Sequence, residues 1–276
     1  MAITAQDVNK LRQMTGAGMM DCKKALVEAD GDFDKAIEFL RKKGQKVSAS
    51  RADRATNEGC VFIETNKDGS EGIIIGLGCE TDFVAKNDDF QGLGNDILKI
   101  AVEEHPEDLD ALHNLKMGDV TVQEKIIEFV GKIGEKIEIT AYERLNGEVV
   151  VPYVHVGSKL GVMVALKGTN GTDVEQVGRD VAMQIAAMNP IAVDKDDIDK
   201  SVIEKEMEIG REQAQQEGKP ENILDKIAEG KVNKFIKENT LLNQAFVKDS
   251  SMTIAKYLNG IQNGLSVTKF TRVKIG

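Results

Sequence analysis

Four acids crowd one short stretch, Glu80, Asp82, Asp88 and Asp89, and among them stands Phe83, a large apolar side chain in otherwise solvated surroundings. Paired carboxylates are the usual equipment for acid–base chemistry or for holding a divalent ion. Neither use calls for an adjacent phenyl ring, and a turn asks for Gly, Asn, Asp or Ser rather than Phe. Phe83 therefore either folds back into this chain's core or is held out for another molecule. Four acids on one loop more often mean solvent exposure than a catalytic pair, and little else in the chain supports an enzyme.

Other chemical candidates fail on spacing. GxxxxGK[ST] does not occur, and no glycine-rich turn joins a strand to a helix with dinucleotide spacing. GSKLG (157–161) has its serine in the wrong place for a nucleophile elbow. His105, His113 and His155 lack metal-ligand spacing to one another. Asp30, Asp32 and Asp34 mimic the opening of a calcium loop, but Lys35 and Arg41 stand where it needs glycine and glutamate. Those acids, like Asp194, Asp196, Asp197 and Asp199, read as capping or solvated groups at helix starts. Cys22, Cys60 and Cys79 are odd in number and form no CxxC pair, so buried small hydrophobes are expected rather than disulfides or a zinc site. No metal and no cofactor is expected.

The elements that must position Phe83 can be read from periodicity. Thr4 opens a capping box with Asp7, and three short helices follow across residues 4–43, the third expected to stop at Gly44. The stretch QKVSASRADRATNEG is polar and without apolar period, as in a linker or a loosely docked helix. From residue 58 the pattern turns to strands: EGCVFIET and EGIIIGLGC flank NKDGS as a hairpin. Helices are expected near 89–104 and 120–131. KIEITAYERL alternates, the NG pair at 146–147 predicts a tight turn, and EVVVPYVHV returns. LGVMVALKG is a further strand, TDVEQVGRDVAMQIAAM a helix, and SVTKFTRVKIG a last strand. Residues 194–248, broken by GKP at 218–220, predict an antiparallel helical hairpin projecting from the body.

The core reads as an internal duplication. Each half has a strand hairpin, an apolar strand opening with Gly, a loop and a helix, and Gly94, Asp96 and Pro106 recur in spacing as Gly178, Asp180 and Pro190. The second loop, KGTNGTD, is ordinary turn chemistry, whereas the first is CETDFVAKND. A duplicated architecture does not itself require an Asp-Phe pair, which argues against a purely structural Phe83.

Composition bounds the partner. The net charge is -10, yet residues 1–55 hold 11 Lys and Arg against 8 Asp and Glu, so the acidity lies in the remainder. Such a body is a poor general binder of nucleic acid, and a protein surface is the better expectation. No run approaches the roughly 18 apolar residues of a membrane span. MAITAQDVNK carries neither a signal nor a transit pattern, so a soluble cytoplasmic protein is expected.

LRQMTGAGMMDCKKAL (11–26) and CETDFVAKN (79–87) together resemble the bacterial elongation factor Ts family, and the similarity continues through KIGEKI (132–137), VHVGSKLGV (154–162), the helical hairpin and the last strand. The resemblance implies an α+β fold: a three-helix, ubiquitin-associated-like docking domain with linker over 1–55, and two core subdomains over 56–145 and 146–276. The first would carry the TDFV loop and the second the hairpin. It also implies a guanine-nucleotide exchange factor for elongation factor Tu, without catalytic chemistry of its own. Thr81, Asp82, Phe83 and Val84 would disturb the partner's magnesium site. Ile133, Gly134, His155, Met19 and Met20 would add partner contact. Val84 would also pack to aim the loop, Asp82 has the type to cap the following helix, and the hairpin or second subdomain is a candidate surface for a homodimer. The family commonly continues into a C-terminal helix that touches the partner. This chain ends at Gly276, so that contact is expected to be missing or replaced.

Overall fold

The computed structural model describes residues 3–276. Three helices open it, α1 (Ala5–Thr15), α2 (Met19–Glu28) and α3 (Phe33–Ser50). The first half of the core follows as β1 (Glu58–Thr65), β2 (Glu71–Cys79), α4 (Asp82–Ala85), α5 (Asp88–Glu104), α6 (Leu109–Asn114), β3 (Lys116–Met117), β4 (Val120–Thr121), α7 (Val122–Ile133) and β5 (Ile137–Asn146). The second half is β6 (Val149–Val154), β7 (Leu160–Lys167), α8 (Glu175–Met188), α9 (Lys200–Gln216), α10 (Glu221–Asn239), β8 (Ala245–Phe246), β9 (Asp249–Thr253), α11 (Ile254–Ile261) and β10 (Ser266–Lys274). The fold is α+β, with the core duplicated. Sheet order β1-β2-β5 in one half matches β6-β7-β10 in the other, every neighbouring pair antiparallel. In each half a two-stranded hairpin leads into a helix capped by threonine, Thr121 before α7 and Thr253 before α11.

Strand parity builds the layers. Ile73, Ile75, Leu77 and Cys79 of β2 point into one core with α5 and α7. Ile74 points the other way, into a cluster with Met163 and Ala165 of β7. Val162, Val164 and Leu166 of β7 face α8 and α11. Two sheets thus pack face to face between outer helices, as side chains of period two dictate. Glycines set the spacing of that contact. A Cβ on Gly72 would stand 2.7 Å from the Met163 sulfur, and one on Gly161 would stand 2.4 Å from Val61.

The duplicated positions perform the same task twice. A Cβ on Gly94 would lie 2.2 Å from the Phe62 ring, and one on Gly178 would lie 2.4 Å from Val151, so both glycines let α5 and α8 approach the first strand of their halves. His105 and Asn189 end those helices in the left-handed region, at φ 49° and 45°.

Four expectations need correction. The chain does not fold back at 146–147 as a hairpin: β5 pairs with β2, β6 pairs with β7, and the turn carries the chain from one sheet to the other. Gly44 does not stop the third helix. It is buried where α3 crosses α7, with a Cβ on Gly131 standing only 2.7 Å from the Gly44 Cα, and α3 runs on to Ser50. The glycine is there for close approach rather than for a cap. The helix expected at 120–131 begins with a strand, since β4 ends on Thr121, which caps α7. Finally, α10 ends at Asn239, after which a short 3-10 turn and β8 occupy the end of the stretch expected to be helical. The α9–α10 pair itself is present; its four-residue connection forces it antiparallel, and it buries Gly210 and Ala214 against Leu224 and Ala228. Among the described residues no helix is long and apolar enough to cross a membrane.

Candidate functional site

The loop that leaves β2 is built from its buried end outwards. Cys79 is fully buried and its thiol donates to the Thr81 carbonyl at 3.2 Å. Burial, reinforced by the nearby Glu135 carboxylate, pushes that thiol up to about 12, so it stays protonated and apolar in character. Thr81 is extended and caps the single turn α4, its hydroxyl accepting from the Val84 N–H at 3.4 Å. One helical turn divides four residues between two sides. Val84 and Ala85 face inward, and the Ala85 carbonyl accepts from Gln91 at 2.6 Å. Phe83 points outward and is 82% exposed.

Water gains nothing from a phenyl ring on this turn, and no core residue covers it. Apolar side chains exposed singly are ordinary on protein surfaces, so the exposure separates Phe83 from the core and does not by itself assign it a task. Val84, by contrast, is buried as a packing residue. The alternative that Phe83 belongs to the core is excluded by its exposure.

The four acids do not act as a group. Asp82 pairs with Lys86 at 2.7 Å, and that hydrogen bond is the main reason its carboxyl titrates below the ordinary range. It caps neither neighbouring helix, because Thr81 caps α4 and Asn87 caps α5. Asp89 pairs with Lys132 at 2.6 Å. Glu80 turns inward, where its Oε1 accepts from Arg51 at 2.9 Å and from the Lys136 N–H at 2.7 Å. Burial alone would raise the Glu80 carboxyl, and the Lys136 N–H with Arg51 and Arg54 outweighs it, holding the group below its usual value. Among the described residues no cluster of three or more His, Cys, Asp or Glu is set to hold a metal ion.

Ile133 and Gly134 come to this loop through their neighbour Glu135. Its two carboxylate oxygens accept from the Thr81 N–H at 3.0 Å and the Thr81 hydroxyl at 2.8 Å. Gly134 ends α7 in the left-handed region at φ 82°, the geometry that lets the chain turn back so that Glu135 faces the loop. His155 is exposed in the turn between β6 and β7, its Nδ1 2.8 Å from the Tyr153 hydroxyl, beside Val156, which is 94% exposed. Lys159 of the same turn pairs with Glu58 at 2.8 Å, and Glu58 lies opposite Cys79 in the sheet. The His155 turn and the Phe83 loop therefore emerge at one end of the two sheets. Met19 and Met20 are exposed on α2 of the three-helix module, whose α1–α2 turn lies against Lys132, the partner of Asp89: a Cβ on Gly16 would stand 3.0 Å from the Lys132 Nζ. The remaining histidines serve local ends, His105 against Glu71 at 3.2 Å and His113 half-buried in α6.

Sequence reasoning counted Glu80 only as one of four acids and did not find Glu135 or Arg51. Glu80 stands inside CETDFVAKN and Glu135 inside KIGEKI, whereas Arg51 stands in a polar stretch that carries no signal.

A family profile described as Elongation factor TS matches residues 80–276 of the chain. Elongation factor Ts of Amoebophilus asiaticus is 60% identical over 276 residues, covering 100% of both chains. That of Cytophaga hutchinsonii is 57% identical over 274 residues, 99% of each chain, and that of Christiangramia forsetii 49% over 275 residues, again 99% of each.

Proposed function

We propose that this chain, which belongs to the elongation factor Ts family, speeds the release of GDP from elongation factor Tu by pressing the Phe83 turn into the partner's magnesium and phosphate site. Membership of the family makes it a translation elongation factor. The observation that carries the finer reading is the exposure of Phe83 on a turn whose other residues, Thr81 and Val84, are fastened to the body.

The physics is that of linkage. Magnesium tolerates little departure from octahedral geometry at about 2.0–2.1 Å, so small shifts of the elements around it weaken the nucleotide. A rigid ring held outward can separate side chains in the partner, and the adjacent Asp82 brings a carboxylate to the ion's surroundings. For that, Asp82 must exchange Lys86 for the partner, which costs little because the pair is exposed. Whatever factor the chain imposes on nucleotide affinity, nucleotide imposes on the chain. Each tenfold is about 1.4 kcal/mol, so several contacts must contribute together. Ile133, Gly134 and His155 at the same end, and Met19 and Met20 on the helical module, are the further contacts in this reading. No bond is made or broken by this chain.

The test is release of labelled GDP from purified elongation factor Tu with and without the protein. Acceleration at micromolar protein is expected; its absence refutes the proposal.

A further inference from the structure

The segment before the Phe83 turn and the segment after α7 hold each other reciprocally. Glu80 reaches across to the Lys136 N–H, and Glu135 reaches back to the N–H and hydroxyl of Thr81. Three hydrogen bonds, to the Oε1 of Glu80 and to both carboxylate oxygens of Glu135, thus fasten residues 80–81 to residues 135–136. Glu80 is further held by Arg51 at 2.9 Å, with Arg54 at 3.8 Å, and these arginines follow the end of α3. The Glu80 side chain is 14% exposed and that of Arg51 31%, so the pair is half-buried. Charge-assisted bonds to a carboxylate are shorter and stronger than neutral ones, and two acceptors on one threonine fix direction as well as distance.

From this geometry we infer that Glu135 and Glu80 are positioning residues for exchange: they brace the base of the Phe83 turn so that the ring arrives in the partner already ordered. The inference rests on the function proposed above and deepens it. A four-residue turn has no cooperative helix behind it, and by itself would fray. Ordering it at the moment of docking would subtract from the energy available to displace the nucleotide. The brace removes that cost beforehand. Because Arg51 and Arg54 enter the same cluster, the brace also ties the turn to the chain leaving the three-helix module.

The duplicated half supplies the control. There the Glu148 carboxylate accepts from the N–H and hydroxyl of Thr169, in the loop that follows β7, and from the Gly168 N–H at 2.7 Å. The chemistry is the same, but that loop presents no aromatic ring. If loosening any braced loop disturbed the protein generally, Glu148→Ala and Glu135→Ala would behave alike.

The experiment has two arms on full-length protein. Without partner, amide hydrogen exchange at Val84–Lys86 is expected to rise about tenfold in Glu135→Ala, with Glu135→Gln in between and the melting temperature near wild type. With elongation factor Tu, kcat for GDP release should fall about fivefold to tenfold while KM stays within about twofold, again with Glu135→Gln intermediate. Glu148→Ala should release GDP at the wild-type rate. Unchanged amide exchange in Glu135→Ala overturns the brace. So does GDP release by Glu135→Ala at the wild-type rate, or equal slowing by Glu148→Ala. Were the wild-type chain itself inert towards GDP, the function reading would fall, and the amide-exchange arm would still decide whether the clasp orders the turn.

Discussion

Truncating two phenylalanines seven residues apart, Phe83→Ala and Phe90→Ala, separates a working surface from a core. Phe90 is 0% exposed among Leu93, Ile97 and Val130, whereas Phe83 is 82% exposed. Removing a buried phenyl group loses its transfer energy and leaves a cavity, about 3–5 kcal/mol together. At roughly 2–4 °C per kcal/mol for a chain of this size, Phe90→Ala should melt about 6–20 °C lower. Phe83→Ala removes a ring that water already surrounds, so its melting temperature should move by no more than about 1–2 °C. Exchange should show the reverse order. Phe83→Ala should slow GDP release at least about tenfold, the loss of roughly 1.4 kcal/mol of transition-state stabilisation. Phe90→Ala, assayed well below its melting point, should slow it far less. Differential scanning calorimetry and labelled-GDP release on the same preparations give both numbers. A Phe83→Ala protein that melts many degrees lower, or that releases GDP as fast as wild type, refutes the wedge.

Three further outcomes follow from named contacts. Asp82→Ala should slow GDP release, and by less at low magnesium than at high, while Asn170→Ala in the corresponding loop should leave release unchanged; stopped-flow release across a magnesium series checks both. Gly94→Ala must push the Phe62 ring and should cost about 1–3 kcal/mol, partly recovered by adding Phe62→Leu, as read by urea unfolding. Asp180 is buried, and although burial alone would raise its carboxyl, bonds from Lys248, Gln176 and Tyr257 outweigh that and hold it below its ordinary value. A folded-state value that is depressed gives stability present above the unfolded value near 4 and lost as pH falls through the folded one. Asp180→Asn should therefore cost about 2 kcal/mol at pH 7 and progressively less as pH falls below about 4; a cost that stays the same through that fall would refute the assignment.

Most of the architecture was legible because it follows from period and capping. Thr4 with Asp7, and the apolar run of β2, each declare an element locally. What stayed hidden needed two distant stretches at once. Asn146 and Gly147 announce a reversal but carry no word on which sheet receives the returning strand. Gly44 has the right type for a helix end, and only the presence of Gly131 across from it turns that glycine into a contact. The turn α4, at four residues, spans hardly more than one helical period and leaves no repeat to detect. In the site, Phe83 was legible as an anomaly, an aromatic among acids. Its brace was not, since Thr81 and Glu135 are 54 residues apart in sequence and meet only when β2 and β5 pair.

The duplication says more about function than either half does. Both halves end the central strand in a loop whose threonine gives its N–H and hydroxyl to a glutamate, although that glutamate precedes β5 in the first half and β6 in the second. After that point the halves diverge. The second loop spends its residues on left-handed backbone, Gly168, Asn170 and Gly171, and turns back to the surface of its own half. The first spends them on a single helical turn that needs no glycine, seats Val84 and Ala85, and leaves one large ring in water. Folding asks for a connection at this place, and the second half shows that turn residues suffice for it. Nothing in that connection calls for a ring beside a carboxylate, and the wedge proposed for elongation factor Tu is the reading that gives the pair a task.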